Sequence, residues 1–126
     1  KSAFHSPYFE YTRNMELIDA TGIFSALGHE TRLALFRRLL RSAPEAISAG
    51  VLALELDIPP STLTSHLQIL QRSGLIRSRR ESRTILYSVR AETVQSIVGF
   101  LVRDCCRGRP ELCGTPLPVT QTDLAR

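Results

Sequence analysis

Apolar residues recur along this chain at helical spacing in five stretches, and between the fourth and fifth the period changes. After Met15, the residues Ile18, Ile23, Phe24 and Leu27 mark one face of a first helix, ended by Gly28. A second helix is predicted from His29 to about Arg41, with Leu33, Phe36, Leu39 and Leu40 inward and Arg32, Arg37, Arg38 and Arg41 outward. Ser42-Ala43-Pro44-Glu45 breaks it. Ser48 offers an N-cap hydroxyl to a third helix through Val51, Leu52, Leu54 and Leu56. Asp57-Ile58-Pro59-Pro60 is a short stop. A fourth helix, Ser61 to Ser73, opened by Pro60 or Ser61, puts Leu63, Leu67 and Leu70 on one face and closes at Gly74. Then residues 76–80 and 84–89 read as two strands joined by a turn at Glu81-Ser82-Arg83, a hairpin. A last helix is expected from about Ala91 to Asp104, with Val94, Ile97, Val98 and Leu101 at helical spacing. Beyond it, Gly108, Pro110, Gly114, Pro116 and Pro118 signal loop. Residues 1–14 show no period, and Met15 is expected to be the native start, preceded by a non-native leader or an extension.

Two short helices joined by a tight turn and followed by a hairpin form the winged helix-turn-helix pattern. The expected fold class is therefore mainly α (α+β), with about five helices and one β-hairpin wing. A length of 126 residues suits one domain with a modest core. Hydrophobic residues at 43% and charged residues at 22% are ordinary for a globular domain. No apolar run approaches the ~18–20 residues of a membrane span, so no membrane partner is expected. No basic flank leads into an apolar core at the amino end, and the cysteine count is odd, at three. Both argue against a secreted disulfide framework and for a cytoplasmic protein with reduced thiols.

Charge changes the picture because it is uneven. The net charge is +4, yet residues 1–60 carry 6 basic and 7 acidic side chains, and residues 91–126 carry 4 of each. The excess sits in residues 61–90, where Arg72, Arg77, Arg79, Arg80, Arg83 and Arg90 face Glu81 alone. That stretch is the fourth helix and the hairpin. The polar face of the helix is Ser61, Thr62, Thr64, Ser65, His66 and Gln68. These are short hydrogen-bonding side chains near a helix amino end, suited to base edges and phosphates in a major groove. Arg79, Arg80 and Arg83 at the hairpin tip can reach phosphate or the minor groove. A polar face or an arginine run alone describes any solvated surface. The two in this order, holding all the excess charge, point to double-stranded DNA. His66 has no Cys, Asp or Glu partner nearby in sequence, and is read as a groove residue, with a structural hydrogen bond as the alternative.

Three stretches carry a family resemblance: Ala26-Leu27-Gly28-His29-Glu30-Thr31-Arg32-Leu33, then Ile58-Pro59-Pro60-Ser61-Thr62-Leu63-Thr64-Ser65-His66-Leu67, then Leu70 through Ile76. From Met15 to Cys113 the chain resembles the ArsR/SmtB family of bacterial metal-sensing repressors. The run Asp104-Cys105-Cys106-Arg107-Gly108-Arg109-Pro110-Glu111-Leu112-Cys113 is similar to the carboxy-terminal thiol motif of some arsenic repressors. The resemblance implies a homodimer that binds a palindromic operator and leaves it when an inducer binds; the apolar face Val94, Ile97, Val98 and Leu101 of the last helix is expected to pack, together with the first helix, against its symmetry mate. Two family sites are missing. The helix before the recognition helix, Val51-Leu52-Ala53-Leu54-Glu55-Leu56, has no cysteine, and the last helix has no histidine for a zinc site.

Cys105, Cys106 and Cys113 remain. Gly108 and Pro110 let the chain double back, so that three thiolates can form a cup. Soft thiolates select soft ions. Trivalent arsenic or antimony takes three sulfurs in a pyramid, whereas structural zinc usually closes a tetrahedron. The expected inducer is As(III), with Sb(III) as the variant, and no catalytic cofactor is expected. Arg103, Arg107 and Arg109 flank the thiols, and positive charge raises the thiolate fraction. That equally favours oxidation, so a redox or persulfide sensor of the same fold is the alternative. A small thiol-dependent enzyme is a third reading, but no thioredoxin-type Cys-x-x-Cys and no phosphate-binding loop supports it, so a non-enzyme is expected. The division implied is a leader, 1–14, a DNA-binding and dimerisation domain, 15–106, and a metalloid-binding tail, 107–126.

Overall fold

The computed structural model describes residues 15–105. The leader, 1–14, and the residues from 106 onward, with the expected metalloid-binding tail, lie outside the described residues. Helix α1 spans Leu17–Leu27, α2 Glu30–Ser42, α3 Ala49–Leu56, α4 Pro60–Arg72 and α5 Ala91–Phe100. Strands β1, β2 and β3 are Ile47–Ser48, Ile76–Glu81 and Thr84–Val89. The chain folds as a winged helix-turn-helix, as its pattern predicts. One compact unit runs from Glu16 to Val94 and holds α1–α4, the sheet and the first turn of α5. The second unit takes the rest of α5, which ends in a π-helical turn, Leu101–Cys105, inside the span expected to be regular helix. None of the described helices is long and apolar enough to cross a membrane.

Local chemistry sets the boundaries. His29 is the N-cap of α2, not its first residue, and its Nδ1 accepts from the Thr31 amide at 3.1 Å. Ser48 caps α3 as predicted, accepting from the Val51 amide at 3.2 Å. Asp57, at φ 54°, ends α3 in the left-handed region, and the turn Asp57-Ile58-Pro59 leads straight into α4. At the far end of α4, Gly74 donates to Gln71 O and Leu75 donates to Leu70 O, the paired bonds of a Schellman stop. Gly74 sits at φ +88°, which a residue with a Cβ rarely adopts. Its carbonyl accepts from the Thr93 hydroxyl at 2.6 Å, which fixes the start of α5 to the end of α4.

Helix α4 is the centre of the unit, touching α1, α2, α3 and β2. Leu63, Leu67 and Leu70 are buried as predicted, with Ile23, Leu35, Leu39, Leu52, Leu75 and Ile76 around them. Each such side chain contributes on the order of 1.5–3 kcal/mol by leaving water. Elsewhere the inward face differs from the predicted one. On α2 the buried stripe is Leu35, Phe36 and Leu39, while Leu33 and Leu40 are exposed. On α1 it is Ala20, Ile23 and Ala26, so Ile23 lies inward as predicted, flanked by two alanines, while Ile18 and Phe24 face outward. On α3 Leu52 alone is buried, and Leu54 is 85% exposed. Arg32, expected outward, is half-buried.

The sheet has three antiparallel strands in the order β1-β3-β2. Strand β1 was not predicted, since two residues cannot display a period of two. It pairs Ile47 with Tyr87 and Ser48 with Leu86. In the hairpin Glu81 pairs with Thr84, so the turn is Ser82-Arg83, one residue shorter than predicted, with Ser82 at φ 58°.

Candidate nucleic-acid interface

The interface begins at the amino end of α4. Pro60 is the first helical residue and has no N–H to satisfy, while its fixed φ suits the helix. Pro59 is the N-cap and offers no side-chain acceptor to the first turn, which also carries no acidic residue. The first-turn amides of Ser61 and Thr62 therefore point outward with the positive end of the helix dipole behind them, a natural seat for a phosphate. Ser61, Thr62, Thr64, Ser65 and Gln68 are all exposed on this helix. The Thr64 hydroxyl donates to Pro60 O at 3.0 Å and the Ser65 hydroxyl to Ser61 O at 3.4 Å. Each hydroxyl is thereby oriented, with its oxygen still able to accept from a base amine.

His66, the sixth residue of that predicted face, sits apart from the other five. It is half-buried, its ring centroid 4.7 Å from that of His29. Its Nδ1 lies 3.4 Å from Arg32 Nη1. Arg32 in turn donates from Nε to Ala26 O at 2.6 Å and from Nη2 to Ser25 O at 3.5 Å. One guanidinium thus spans the carbonyl end of α1 and the imidazole on α4. Burial, and then the proximity of His29 and Arg32, hold the His66 imidazole below its usual pKa. Arg32 was not predicted to take part here. Its spacing from Leu35, Phe36 and Leu39 puts it on the buried stripe of α2, and that spacing was the available signal.

The wing carries the cations. Arg79, Arg80 and Arg83 are all exposed on β2 and its turn. Arg79 is not fully available, because its Nη2 pairs with Glu81 Oε2 at 3.0 Å. Arg83 also borders an open cleft with Ser48, Ala49, Gly50, Thr84 and Ile85, next to the amino end of α3. Beneath the helix-turn-helix, Arg38 grips Glu55 with Nε to Oε1 at 2.7 Å and Nη2 to Oε2 at 3.2 Å, tying α2 to α3. The Glu55 carboxylate is held below its usual pKa chiefly by that hydrogen bond.

Of the predicted thiol site, Cys105 closes the π-helical turn and is the last described residue. Cys106 and Cys113 lie outside the described residues. The structure therefore brings the predicted DNA-facing residues of α4 and the wing into one compact unit, while the predicted thiol site lies largely outside the described residues.

A family profile described as a helix-turn-helix domain matches residues 27–79. Among curated proteins, the transcriptional activator HlyU of Vibrio cholerae is 31% identical over 88 residues, covering 70% of this chain and 79% of that protein. The solved structure of reduced HlyU from Vibrio cholerae superposes with a TM-score of 0.56 at 29% identity, covering 71% of this chain and 90% of that one. An ArsR-like transcriptional regulator from a Rhodococcus species gives a TM-score of 0.64 at 26% identity, covering 76% of this chain and 88% of that one.

Proposed function

This chain belongs to the ArsR family of winged helix-turn-helix, DNA-binding transcriptional regulators, and on that premise we propose that it is a homodimeric repressor released from its operator when trivalent arsenic or antimony binds the thiolates of Cys105, Cys106 and Cys113. The observation that carries the DNA-facing part is the exposed hydroxyl and amide face of α4, in one compact unit with the arginines at the wing tip. Dimerisation through α1 and the last helical segment draws support from the apolar side chains exposed there: Leu17 at 73% and Ile18 at 79% on α1, Val98 at 47% on α5 and Leu101 at 37% on the π-helical turn that follows it. The inducer reading rests on three thiols within nine residues and on the flanking arginines. Binding there would reshape the end of the last helix and shift the angle between two DNA-reading heads, with a coupling of typically about 1–3 kcal/mol.

The test is a gel-shift titration against the chain's own promoter, with arsenite added under a phosphine reductant. Arsenite should release the duplex, and Cys113→Ser should raise the concentration needed by at least about tenfold, the loss of one of three ligands. Release of Cys113→Ser at the wild-type arsenite concentration would make the three-thiol version wrong. Arsenic-edge absorption on the loaded protein should count three sulfurs. A second reading follows from the similarity to a protein solved in a reduced form. Two of the same thiols would lose their protons and two electrons to a peroxide, forming a disulfide and water. Release by peroxide, reversed by a thiol reductant and indifferent to arsenite, would select that reading.

A further inference from the structure

We propose that Arg32 and His66 are the positioning pair of the recognition helix: Arg32 ties α4 to the carbonyl end of α1 through a neutral His66, and His66 acts on DNA affinity through the placement of that helix, not by contacting bases. This role rests on the DNA-binding reading of α4 and extends it to a residue that the polar-face pattern had grouped with the base readers.

A guanidinium has five N–H donors and no acceptor. The imidazole nitrogen facing it, His66 Nδ1 at 3.4 Å from Nη1, must then be the lone-pair nitrogen, with the proton on Nε2. The contact is long, so its own strength is small. Its effect comes from what the same guanidinium already holds: Ala26 O at 2.6 Å and Ser25 O at 3.5 Å, two carbonyls of the last turn of α1. Those carbonyls are the negative end of the α1 dipole, where a cation is favoured. Arg32 is anchored first on α1 and presents its remaining N–H to α4. His66 thus sets where the middle of α4 rests on the rest of the fold, at the residue between exposed Ser65 and buried Leu67.

Protonation would reverse the sign of this contact. The titratable and charged groups facing His66 are His29 and Arg32, both contributed by α2 and its cap, while the end of α1 is represented by the carbonyls that Arg32 holds. Neither facing group is a carboxylate, so nothing there rewards a second positive charge. His29 is committed as well, because its Nδ1 accepts from the Thr31 amide and caps α2. An imidazolium at His66 would lose its acceptor, meet the guanidinium head on, and push α4 away from α1. The ordinary histidine pKa is 6.5 and that of His66 lies below it. Neutral His66 therefore prevails at neutral pH, and the pair is lost as pH falls below 6.5 through the lower folded value.

The experiment uses the full chain and a duplex that the wild type selects from a random-sequence library. Fluorescence anisotropy is read from about pH 8 to about pH 5.5 at fixed ionic strength, with circular dichroism confirming the fold at each point. Wild type should lose affinity progressively below pH 6.5, by up to about tenfold at pH 5.5, because the His66 pKa lies below 6.5. His66→Gln keeps an acceptor and cannot titrate. It should bind within about threefold of wild type near pH 8 and lack the acid loss. His29→Asn keeps a capping side chain, and it should retain the acid loss. Nitrogen-15 spectra should show His66 as the Nε2–H tautomer. The inference is overturned if His66→Gln keeps the wild-type pH profile, or if it changes the rank order of duplexes differing at single bases. Failure of the wild type to select any duplex would instead overturn the DNA-facing assignment of α4 and leave no operator binding for the pair to position.

Discussion

At Gly74 the conformation, not the space, decides which residue fits. A Cβ there would meet Thr93 Oγ1 at 3.7 Å, an ordinary contact, but the backbone stands at φ +88°. Left-handed backbone costs a residue with a Cβ roughly 1–2 kcal/mol. Gly74→Ala should therefore lower the unfolding free energy by about that amount, read as a lower urea midpoint at an unchanged m-value, with α4 and the wing still folded by circular dichroism. An unchanged midpoint would mean that the Schellman stop is not what ends α4. That glycine was legible in the sequence as a stop after a periodic helix. His66 was not, although its spacing was. Residues 63, 66, 67 and 70 lie on one helical face, and the three leucines of that set are all buried. A polar identity drew His66 to the polar face, while the guanidinium that lets a histidine sit beside leucines comes from a residue 34 positions away in sequence. Arg32 was misplaced for the same reason: a guanidinium reads as outward until its acceptors, here two main-chain carbonyls of the preceding helix, are known.

At the level of elements, α4 and the wing present different chemistry to the duplex proposed for them, and substitutions should separate them. Arg80→Ala and Arg83→Ala remove charge that, on the proposed reading, meets phosphate in any sequence. Each should weaken selected and random duplexes alike and flatten the salt dependence by about 0.9 for every phosphate no longer neutralised. Thr64→Ala and Ser65→Ala should change preference between duplexes instead, by about 1–3 kcal/mol for each base pairing of good geometry that is removed. Equal losses on selected and random DNA for the helix variants would count against direct readout by α4. Arg79 should differ from its two neighbours, because Glu81 already holds it at 3.0 Å. Glu81→Gln weakens the hold on that guanidinium by leaving it a neutral acceptor and removes the only acidic charge of residues 61–90, so it should tighten binding to every duplex and steepen the salt dependence. Unchanged random-duplex affinity in Glu81→Gln would show that Arg79 does not reach the backbone. The existence and order of these elements were written in the change from helical to strand period. Strand β1 was not, since Ile47 and Ser48 join the sheet only through their partners Tyr87 and Leu86 on β3. The face that each of α1, α2 and α3 buries was also hidden. All three carry more apolar residues than one stripe needs, and periodicity alone does not say which stripe the neighbours cover.

The surplus apolar surface of α1 matters most at the scale of the whole molecule. Ile18 at 79% exposure and Leu17 at 73% are far more open than large aliphatic side chains that serve a core. Ala20, Ile23 and Ala26 already supply the inward stripe of the same helix. The two alanines let α1 lie close to its neighbours around Ile23, and Leu17 and Ile18 are left for a second surface. A single helix-turn-helix head reads only a half-site, and palindromic recognition needs two heads about 34–36 Å apart. Both needs are met if the outer stripe of α1 packs in a dimer. Ile18→Glu tests this without touching the core, because the side chain is outside it. The substituted chain should keep its melting behaviour at concentrations where the wild type is also monomeric. It should sediment as a monomer where the wild type is a dimer. Its affinity for the full duplex should drop to that for an isolated half-site, since the gain from tethering two heads disappears. A variant that stays dimeric and binds the full duplex at wild-type strength would move the dimer interface off α1. A variant that falls apart but still binds the full duplex tightly would show that one head suffices, and the +5 excess of residues 61–90 would then account for that affinity within a single chain.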